Sequence, residues 1–353
     1  MSGASEWWIP EVYRRRRPFL SVRLAVLRAV RRFFEMRHFV EVETPALQVS
    51  PGLEPHLMAF ETALVGPDRA QRRPLYLHTS PEFAMKKLLV AGEPRIFQLC
   101  RVFRNGERAT THHPEFSMLE WYRAGATYDV IMDDCVALLQ EAAGAGAHRR
   151  LHWRGREADP FRAWQRISVA DAFLRYANLD LLACLGPDPR APDPKPFIAA
   201  ARAIKIAARD DDSWDDVFFR VFLERIEPQL GHPVPTILHD YPIAMAALAR
   251  AKPTDARLAE RFEVYVCGLE LANAFGELTD GAEQRRRFVA DMDLKERLYG
   301  QRYPIDEELI AALAHGMPSS SGIALGFDRL VMLASGAERI EDVLWAPVAD
   351  VDG

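Results

Sequence analysis

The chain is poor in cysteine. Its four, Cys100, Cys135, Cys184 and Cys267, make no CxxC pair, and no His/Cys grouping has zinc spacing. A structural zinc site is therefore not expected. Cys100 and Cys267 lie in apolar alternating runs and read as buried thiols. A basic excess is missing too: 45 Lys and Arg against 50 Asp and Glu leave a net charge of −5. Dedicated nucleic-acid binders carry the opposite imbalance, because phosphate contacts dominate their affinity. Two local basic runs do occur, Arg14 to Arg17 and His148-Arg149-Arg150 with Arg154 and Arg156. They read as solvated faces, the alternative being a dock for an acidic macromolecule. No stretch approaches the ~20 apolar residues of a membrane span. No basic-then-apolar leader opens the chain, and no segment repeats. These absences predict a soluble, cytoplasmic protein.

Hydrophobic residues make up 49% of the chain, ample for a large core. Residues 1–19 read as an N-terminal arm. Residues 20–350 read as one domain, with 145–230 its least patterned part. Val22, Val26, Val30 and Phe33 recur at helical spacing over 21–34, and Phe39 to Glu43 alternates as a short strand that Pro45 ends. Thr79-Ser80-Pro81-Glu82 opens another helix, with Ser80 as N-cap and Pro81 in the first turn. Residues 96–104 and 114–122 alternate across a polar loop and predict an antiparallel hairpin. Helices are expected over 128–143, 196–208, 214–226 and 282–299, and strands over 234–239 and 262–277. A last helix follows Gly326, capped by Asp328 and stopped at Gly336.

Alternation puts Phe116, Met118, Glu120 and Tyr122 on one face of the hairpin, and Gln98, Cys100, Val102 and Arg104 on one face of its partner strand. Such a face is poor core material, because buried charges are costly unless paired or liganded. It can be the floor of a polar ligand site: Phe116 offers an aromatic plane, and Arg104 can grip a phosphate or carboxylate with two parallel hydrogen bonds. Asn273, Phe275 and Glu277 also share a face. Glu263 and Glu270 have opposite parity on a continuous strand, whereas a tight turn near Gly268 would set them side by side. Two adjacent carboxylates repel unless a cation lies between them, and Mg²⁺ is a natural hard cation for such oxygen ligands. The run Gly322-Ile323-Ala324-Leu325-Gly326 lets a ligand approach the backbone closely, and Arg329 opposes the dipole of the helix it opens, which asks for an outside anion. His112 and His113 are adjacent in an extended segment and point opposite ways, so a shared metal is not expected.

The segments Phe103-Arg104-Asn105 … His113-Pro114-Glu115-Phe116 … Glu120-Trp121-Tyr122 and Gly322 to Leu330 resemble motifs 2 and 3 of class II aminoacyl-tRNA synthetases. With Thr79 to Glu82, Phe97 to Arg101, Arg261 to Glu263, Glu270 to Asn273 and Glu277 to Asp280, the chain resembles the elongation factor P–lysine ligase family over about residues 20–345. The resemblance implies an α+β fold, the class II synthetase catalytic domain, an antiparallel β-sheet flanked by helices. It implies a homodimer built on the helix–strand–Pro45 segment, and no room before residue 20 for a tRNA-reading domain. The implied activity is ATP-dependent activation of lysine or (R)-β-lysine as its adenylate, then transfer to a lysine side chain of elongation factor P. Minimal lysyl-tRNA synthetase activity, a non-catalytic ligand sensor and an asparagine-forming relative are the alternatives. tRNA is not the expected acceptor.

The family pattern assigns Arg104 to the α-phosphate and the attacking carboxylate. It places Phe116 and Arg329 about the adenine, Arg329 also reaching the γ-phosphate, and puts Mg²⁺ on Glu263 and Glu270. Asn105, Gly106, Glu107, His113, Val264 and Gly326 complete the implied ATP site. Ser80, Glu82, Glu120, Tyr122, Asn273, Glu277 and Ala324 form the implied substrate pocket, with Glu82 receiving an amino group. Ala324 stands where tRNA-charging relatives carry Gly, and its methyl would crowd an α-amino acid. The chain departs from the pattern at Gly106 for Glu, His113 for Asn and Ala274 for Gly.

Overall fold

The computed structural model describes residues 6–67, 69, 72–146 and 148–349. In chain order come α1 (Pro10–Glu35), β1 (Val40–Glu41), β2 (Leu47–Gln48), β3 (Phe60–Val65), β4 (Arg72–Leu77), α2 (Glu82–Ala91), β5 (Arg95–Phe103), β6 (Glu115–Ala124) and α3 (Tyr128–Ala145). The middle holds β7 (Leu151–Trp153), β8 (Arg156–Ala158), β9 (Gln165–Ser168), α4 (Val169–Ala172), α5 (Pro194–Ala203) and α6 (Trp214–Val221). The last third holds β10 (Thr236–Pro242), β11 (Ala251–Lys252), β12 (Asp255–Val266), β13 (Leu269–Gly276), α7 (Gly281–Tyr299), α8 (Glu307–Gly316), β14 (Ser320–Gly326), α9 (Phe327–Ser335) and α10 (Ile340–Val343).

The central sheet runs β1-β5-β6-β14-β13-β12-β10-β9, with β11 beside β12. The α+β class and the β5–β6 hairpin are as expected. The sheet is not wholly antiparallel: β1 runs parallel to β5, and β9 to β10. Both parallel pairs close long crossovers, which a two-residue turn cannot make.

Side-chain alternation divides this sheet. Leu119, Trp121, Val264, Ala272, Ala274, Ile323 and Leu325 pack into the core that α1, α3 and α9 cover. The opposite face carries Met118, Glu120, Tyr122, Glu270, Asn273 and Glu277. Beside it, α2, α7 and α8 build a second core around Phe83, Phe288 and Leu313. Between β9 and β10 the chain builds a third, aromatic core from Phe173, Phe197, Trp214, Phe218 and Phe222. The weakly patterned 145–230 stretch thus packs largely on itself. The helix expected over 196–208 ends at Ala203, and the one over 214–226 is α6 plus a single wider turn, Phe222–Ile226.

Helix α1 begins at Pro10, so residues 10–19 are its first turns and not an arm. Proline suits this first position, where its missing N–H costs nothing. The apolar stripe hid the start because two of its inward positions are arginines. Arg16 and Arg23 are buried in line with Leu20, Val26 and Val30. Arg16 donates to the Leu344 carbonyl, and its neighbours Arg14, Arg15 and Arg17 are exposed. Arg23 pairs with buried Asp328 and donates to Ser117 Oγ at 2.9 Å and the Val343 carbonyl at 3.1 Å. Asp328 is therefore not a cap for its own helix. It accepts from the Ser117 N–H at 2.6 Å and ties α9 to β6 and α1. Cys135, Cys184 and Cys267 are buried, while Cys100 is only half-buried.

Replacing Arg23 by Met leaves Asp328 buried without its cation. The expected loss is ~3–5 kcal/mol of stability, read from urea unfolding. Adding Asp328→Asn to Arg23→Met is expected to recover part of it.

Candidate active site

A cavity of about 350 Å³ opens on the charged face of the sheet. Arg104 enters it from the end of β5 and Arg329 from the first turn of α9. Neither has a carboxylate partner among the described residues, and Arg104 Nε is buried with no acceptor. Arg329 donates instead to the Glu270 carbonyl at 2.8 Å, the Thr111 carbonyl at 3.3 Å and His112 Nε2 at 2.8 Å. Burial lowers the Arg329 guanidinium, Glu270 opposes this, and Arg104 adds to it. Two desolvated cations sharing one cavity call for an anion between them. Phe116 lines the same space, with Arg104 Cζ 5.3 Å from its ring centroid.

The other end of the cavity is acidic. Ser80, Glu82, Asn273 and Ala324 line it, and Glu120, Tyr122 and Glu277 lie buried behind them. The pairing Glu120↔Ala324↔Asn273 across β6, β14 and β13 puts these three side by side. Ser80 is bound twice: its hydroxyl donates to Glu120 Oε1 at 2.5 Å and accepts from the Glu82 N–H at 3.0 Å. Tyr122 donates to Glu120 Oε2 at 2.9 Å. Burial, reinforced by Glu82, pushes the Glu120 carboxyl up to about 8. Gly322 makes room for the tyrosine. A Cβ there would come within 2.2 Å of Tyr122 Cδ1 and 2.8 Å of Glu277 Oε1. The close backbone approach foreseen for this small-residue strand is thus made, at Gly322, by the protein's own ring.

A buried lysine completes this end. Lys86, one helical turn after Glu82, pairs with Glu82 and sits 2.7 Å from Glu277 Oε2. Burial works to lower this ammonium, yet Glu277 and Glu82 together hold it above its ordinary value. Glu277 is pushed up to about 7 by burial despite Lys86. Sequence reasoning missed Lys86, although its spacing of four from Glu82 on a predicted helix was a readable signal.

The tight turn near Gly268 exists, with positive φ at Cys267 and Gly268. The pairing skips Leu271, so Tyr265 faces Glu270 while Val264 faces Ala272. The turn alone sets Glu270 on the face of Tyr265 and Glu263, and the bulge brings Asn273 onto that face too. Burial and the nearby Glu263 push the Glu270 carboxyl up to about 7. Glu263 lies off the cavity, accepting from Arg261 Nη2 at 2.7 Å and the Tyr265 hydroxyl at 2.6 Å. An all-oxygen pair with a raised carboxyl suits a hard cation. Since Glu263 already has two donors, and no cluster of three acidic, His or Cys ligands occurs among the described residues, the fit is chiefly to Glu270.

The remaining expected nucleotide residues divide. Glu107, His113 and Gly326 line the cavity, whereas Asn105 and Gly106 are exposed on the loop beside it. His113 has both ring nitrogens engaged, Nδ1 with the Glu115 carbonyl at 2.7 Å and Nε2 with the Val348 N–H at 3.2 Å. The hydrogen bond expected from it toward a nucleotide has no free ring nitrogen. His112 Nε2 bonds Arg329 Nη2. Val264 is 1% exposed and belongs to the hydrophobic core, because it alternates with Glu263 on a central strand. Sequence reasoning also missed Glu54, which lines the cavity from the loop between β2 and β3.

Residues 10–349 match the family model described as tRNA synthetases class II (D, K and N). Three curated relatives are named elongation factor P–(R)-β-lysine ligase. The chain is 40% identical to the one from Edwardsiella ictaluri over 322 residues, covering 91% of this chain and 92% of the relative. It is 40% identical to the one from Yersinia enterocolitica over 328 residues, covering 92% and 94%. It is 41% identical to the one from Sodalis glossinidius over 323 residues, covering 91% and 92%.

Two measurements check the acidic end. Lys86→Met is expected to cost ~3–5 kcal/mol, and adding Glu277→Gln to return part of it, with a coupling of ~0.5–3 kcal/mol in a double-mutant cycle. Glu120, Glu270 and Glu277 all have raised carboxyls, so the folded state binds more protons than the unfolded one. Their stabilisation is complete below the ordinary carboxyl range and lost as pH rises through about 7 to 8. The urea midpoint should fall across that window, and fall less in Glu120→Gln.

Proposed function

The chain belongs to the class II tRNA synthetase family (D, K and N), and from that footing we propose that it is an AMP-forming ligase. It activates (R)-β-lysine with ATP and transfers it to a lysine side chain of elongation factor P. The observation that carries the reading is the shared cavity: Arg104 and Arg329, both without a carboxylate partner among the described residues, face a buried carboxylate set at its far end. A diamino acid has a carboxylate for the first and ammonium groups for the second. The relatives named for this activity match nine-tenths of the chain.

In the first step the donor carboxylate attacks the α-phosphate and pyrophosphate leaves. Arg104 holds carboxylate and phosphate together, and Arg329 meets the outer phosphates with the adenine between it and Phe116. No protein nucleophile is required. Positioning and neutralised charge supply the rate. Mg²⁺ belongs to the same reading. Glu270, with Glu263 beside it, would hold the ion, which would offset phosphate charge. Glu82 takes the donor amino group nearer the carboxylate, and Glu120, Tyr122, Asn273 and Glu277 take the distal one. The Ala324 methyl narrows the slot against an α-amino group. In the second step the acceptor amine displaces AMP.

Self-association as a homodimer completes the reading, with the exposed apolar residues Met36, Val40, Leu47 and Val49 about β1 and β2 as the contact. Among the described residues no helix is long and apolar enough to cross a membrane.

Amino-acid-dependent ATP–pyrophosphate exchange tests the assignment. (R)-β-lysine is expected to outperform α-lysine, and Arg104→Ala to lower exchange by ~10²–10³-fold or more with its unfolding transition intact. Wild-type exchange in Arg104→Ala, or transfer of label to tRNA and not to elongation factor P, would refute it.

A further inference from the structure

The second step has a proton problem. An ordinary lysine amine, pKa ≈ 10.4, is protonated at neutral pH and cannot attack until it loses that proton. Most acid–base groups around the cavity are already engaged. Glu82 and Glu277 hold Lys86, Glu120 holds Ser80 and Tyr122, His112 holds Arg329, and both nitrogens of His113 are used. Glu270 lies at the phosphate end, beside Arg329.

Glu54 is different. It lines the same cavity as Arg104 and Glu82, and its Oε2 is shielded from solvent with no donor upon it. Its loop is fixed on both sides. The Pro51 carbonyl accepts from the Thr79 N–H at 2.9 Å and hydroxyl at 2.8 Å. Lys295 Nζ, buried on α7, donates to the carbonyls of Pro55 at 3.0 Å and Leu57 at 2.6 Å. The Met58 carbonyl accepts from the Asn105 N–H at 2.7 Å, next to Arg104. The carboxylate also lies against Gly52, where an added Cβ would come 3.0 Å from Oε2 and 2.5 Å from Thr79 Oγ1. The fold thus holds a carboxylate with one oxygen, Oε2, left without a donor near the cation that is to grip the acyl group.

We propose that Glu54 is the general base of acyl transfer, which rests on the adenylate reading above. The Glu54 carboxylate takes one proton from the acceptor ammonium. The freed amine attacks the acyl carbon of the adenylate and forms the C–N bond. The C–O bond to phosphate breaks, its electron pair leaves with AMP, and the surplus N–H proton passes to the departing phosphate or solvent. Ammonium, acyl adenylate and carboxylate thus become amide, AMP and carboxylic acid, with one proton passed to the AMP phosphate or solvent and no further reactant. The groups facing Glu54 are Glu82 on α2, Arg104 after β5, and Lys295 and Asp291 on α7. Burial and then Glu82 raise its carboxyl, which Arg104 and Lys295 only partly oppose, and this brings the base nearer neutral pH.

The test uses the full chain and Glu54→Gln with three readouts: (R)-β-lysine-dependent pyrophosphate exchange, single-turnover transfer from preformed adenylate to elongation factor P, and transfer to hydroxylamine, which is already unprotonated at neutral pH. Protein acylation should fall ~10²–10⁴-fold more than exchange does. Hydroxamate formation should follow exchange and not acylation. The acylation deficit should shrink as pH rises toward the acceptor amine's own ionisation. Should Glu54→Gln not fold, Glu54→Asp, which keeps the charge but withdraws it, should slow acylation relative to exchange. Equal losses in all three readouts, or acylation within a few-fold of wild type, would overturn the base assignment. A wild-type chain without exchange would overturn the adenylate reading, and this one with it.

Discussion

Charge taken out of water must find its partner in place, and most of this molecule's design follows from that constraint. Strand alternation dedicates one face of a largely antiparallel sheet to the core. The same alternation forces polar and ionised side chains onto the other face, under helices that keep water out. Stability therefore depends on closed sets: Arg23 with Asp328 beneath, and Lys86 with Glu82 and Glu277 above. Where the sets stay open, at Arg104 and at Glu54, the cavity begins. Structure and reactivity are divided by which charges the chain satisfies internally.

Legibility in the sequence followed locality. The β5–β6 hairpin and the turn at Gly268 could be read from a few adjacent residues, because turn chemistry and period-two alternation are local. Helix α2, by contrast, opens one residue later than expected, with Pro81 and not Ser80 at its cap position. The convergence of Arg104 and Arg329 was legible only through the family resemblance, since no short-range rule brings β5 to α9. The start of α1 was obscured by arginines at inward positions, which a hydrophobic count scores as surface. The parallel sheet edges depend on crossovers whose return point a strand pattern cannot state.

Other misses concern register and partners. One unpaired residue at Leu271 brought Asn273 onto the face that the turn had already given Glu263 and Glu270, a shift no alternation count foresees. Val264 was assigned to the nucleotide site through the family resemblance, but its side chain points into the core, because strand geometry turns it opposite to Glu263. His113 was free in a linear reading. The fold supplied Val348 from the C-terminal segment to occupy its second nitrogen. Lys86 lay in plain view as an ordinary helix lysine. Only the buried sheet face made it an internal counter-ion, altering what the surrounding carboxylates can offer an incoming amine.

The ring of Tyr122 lying on Gly322 has a historical implication. A lineage that reshapes this end of the cavity could not enlarge position 322 first, because the collision with the aromatic would arrive before any benefit. It would have to trim position 122 beforehand, giving up the hydroxyl that steadies Glu120. The two sites are therefore bound to travel together, in one order, and that path dependence narrows which shapes this end of the cavity can reach by single substitutions.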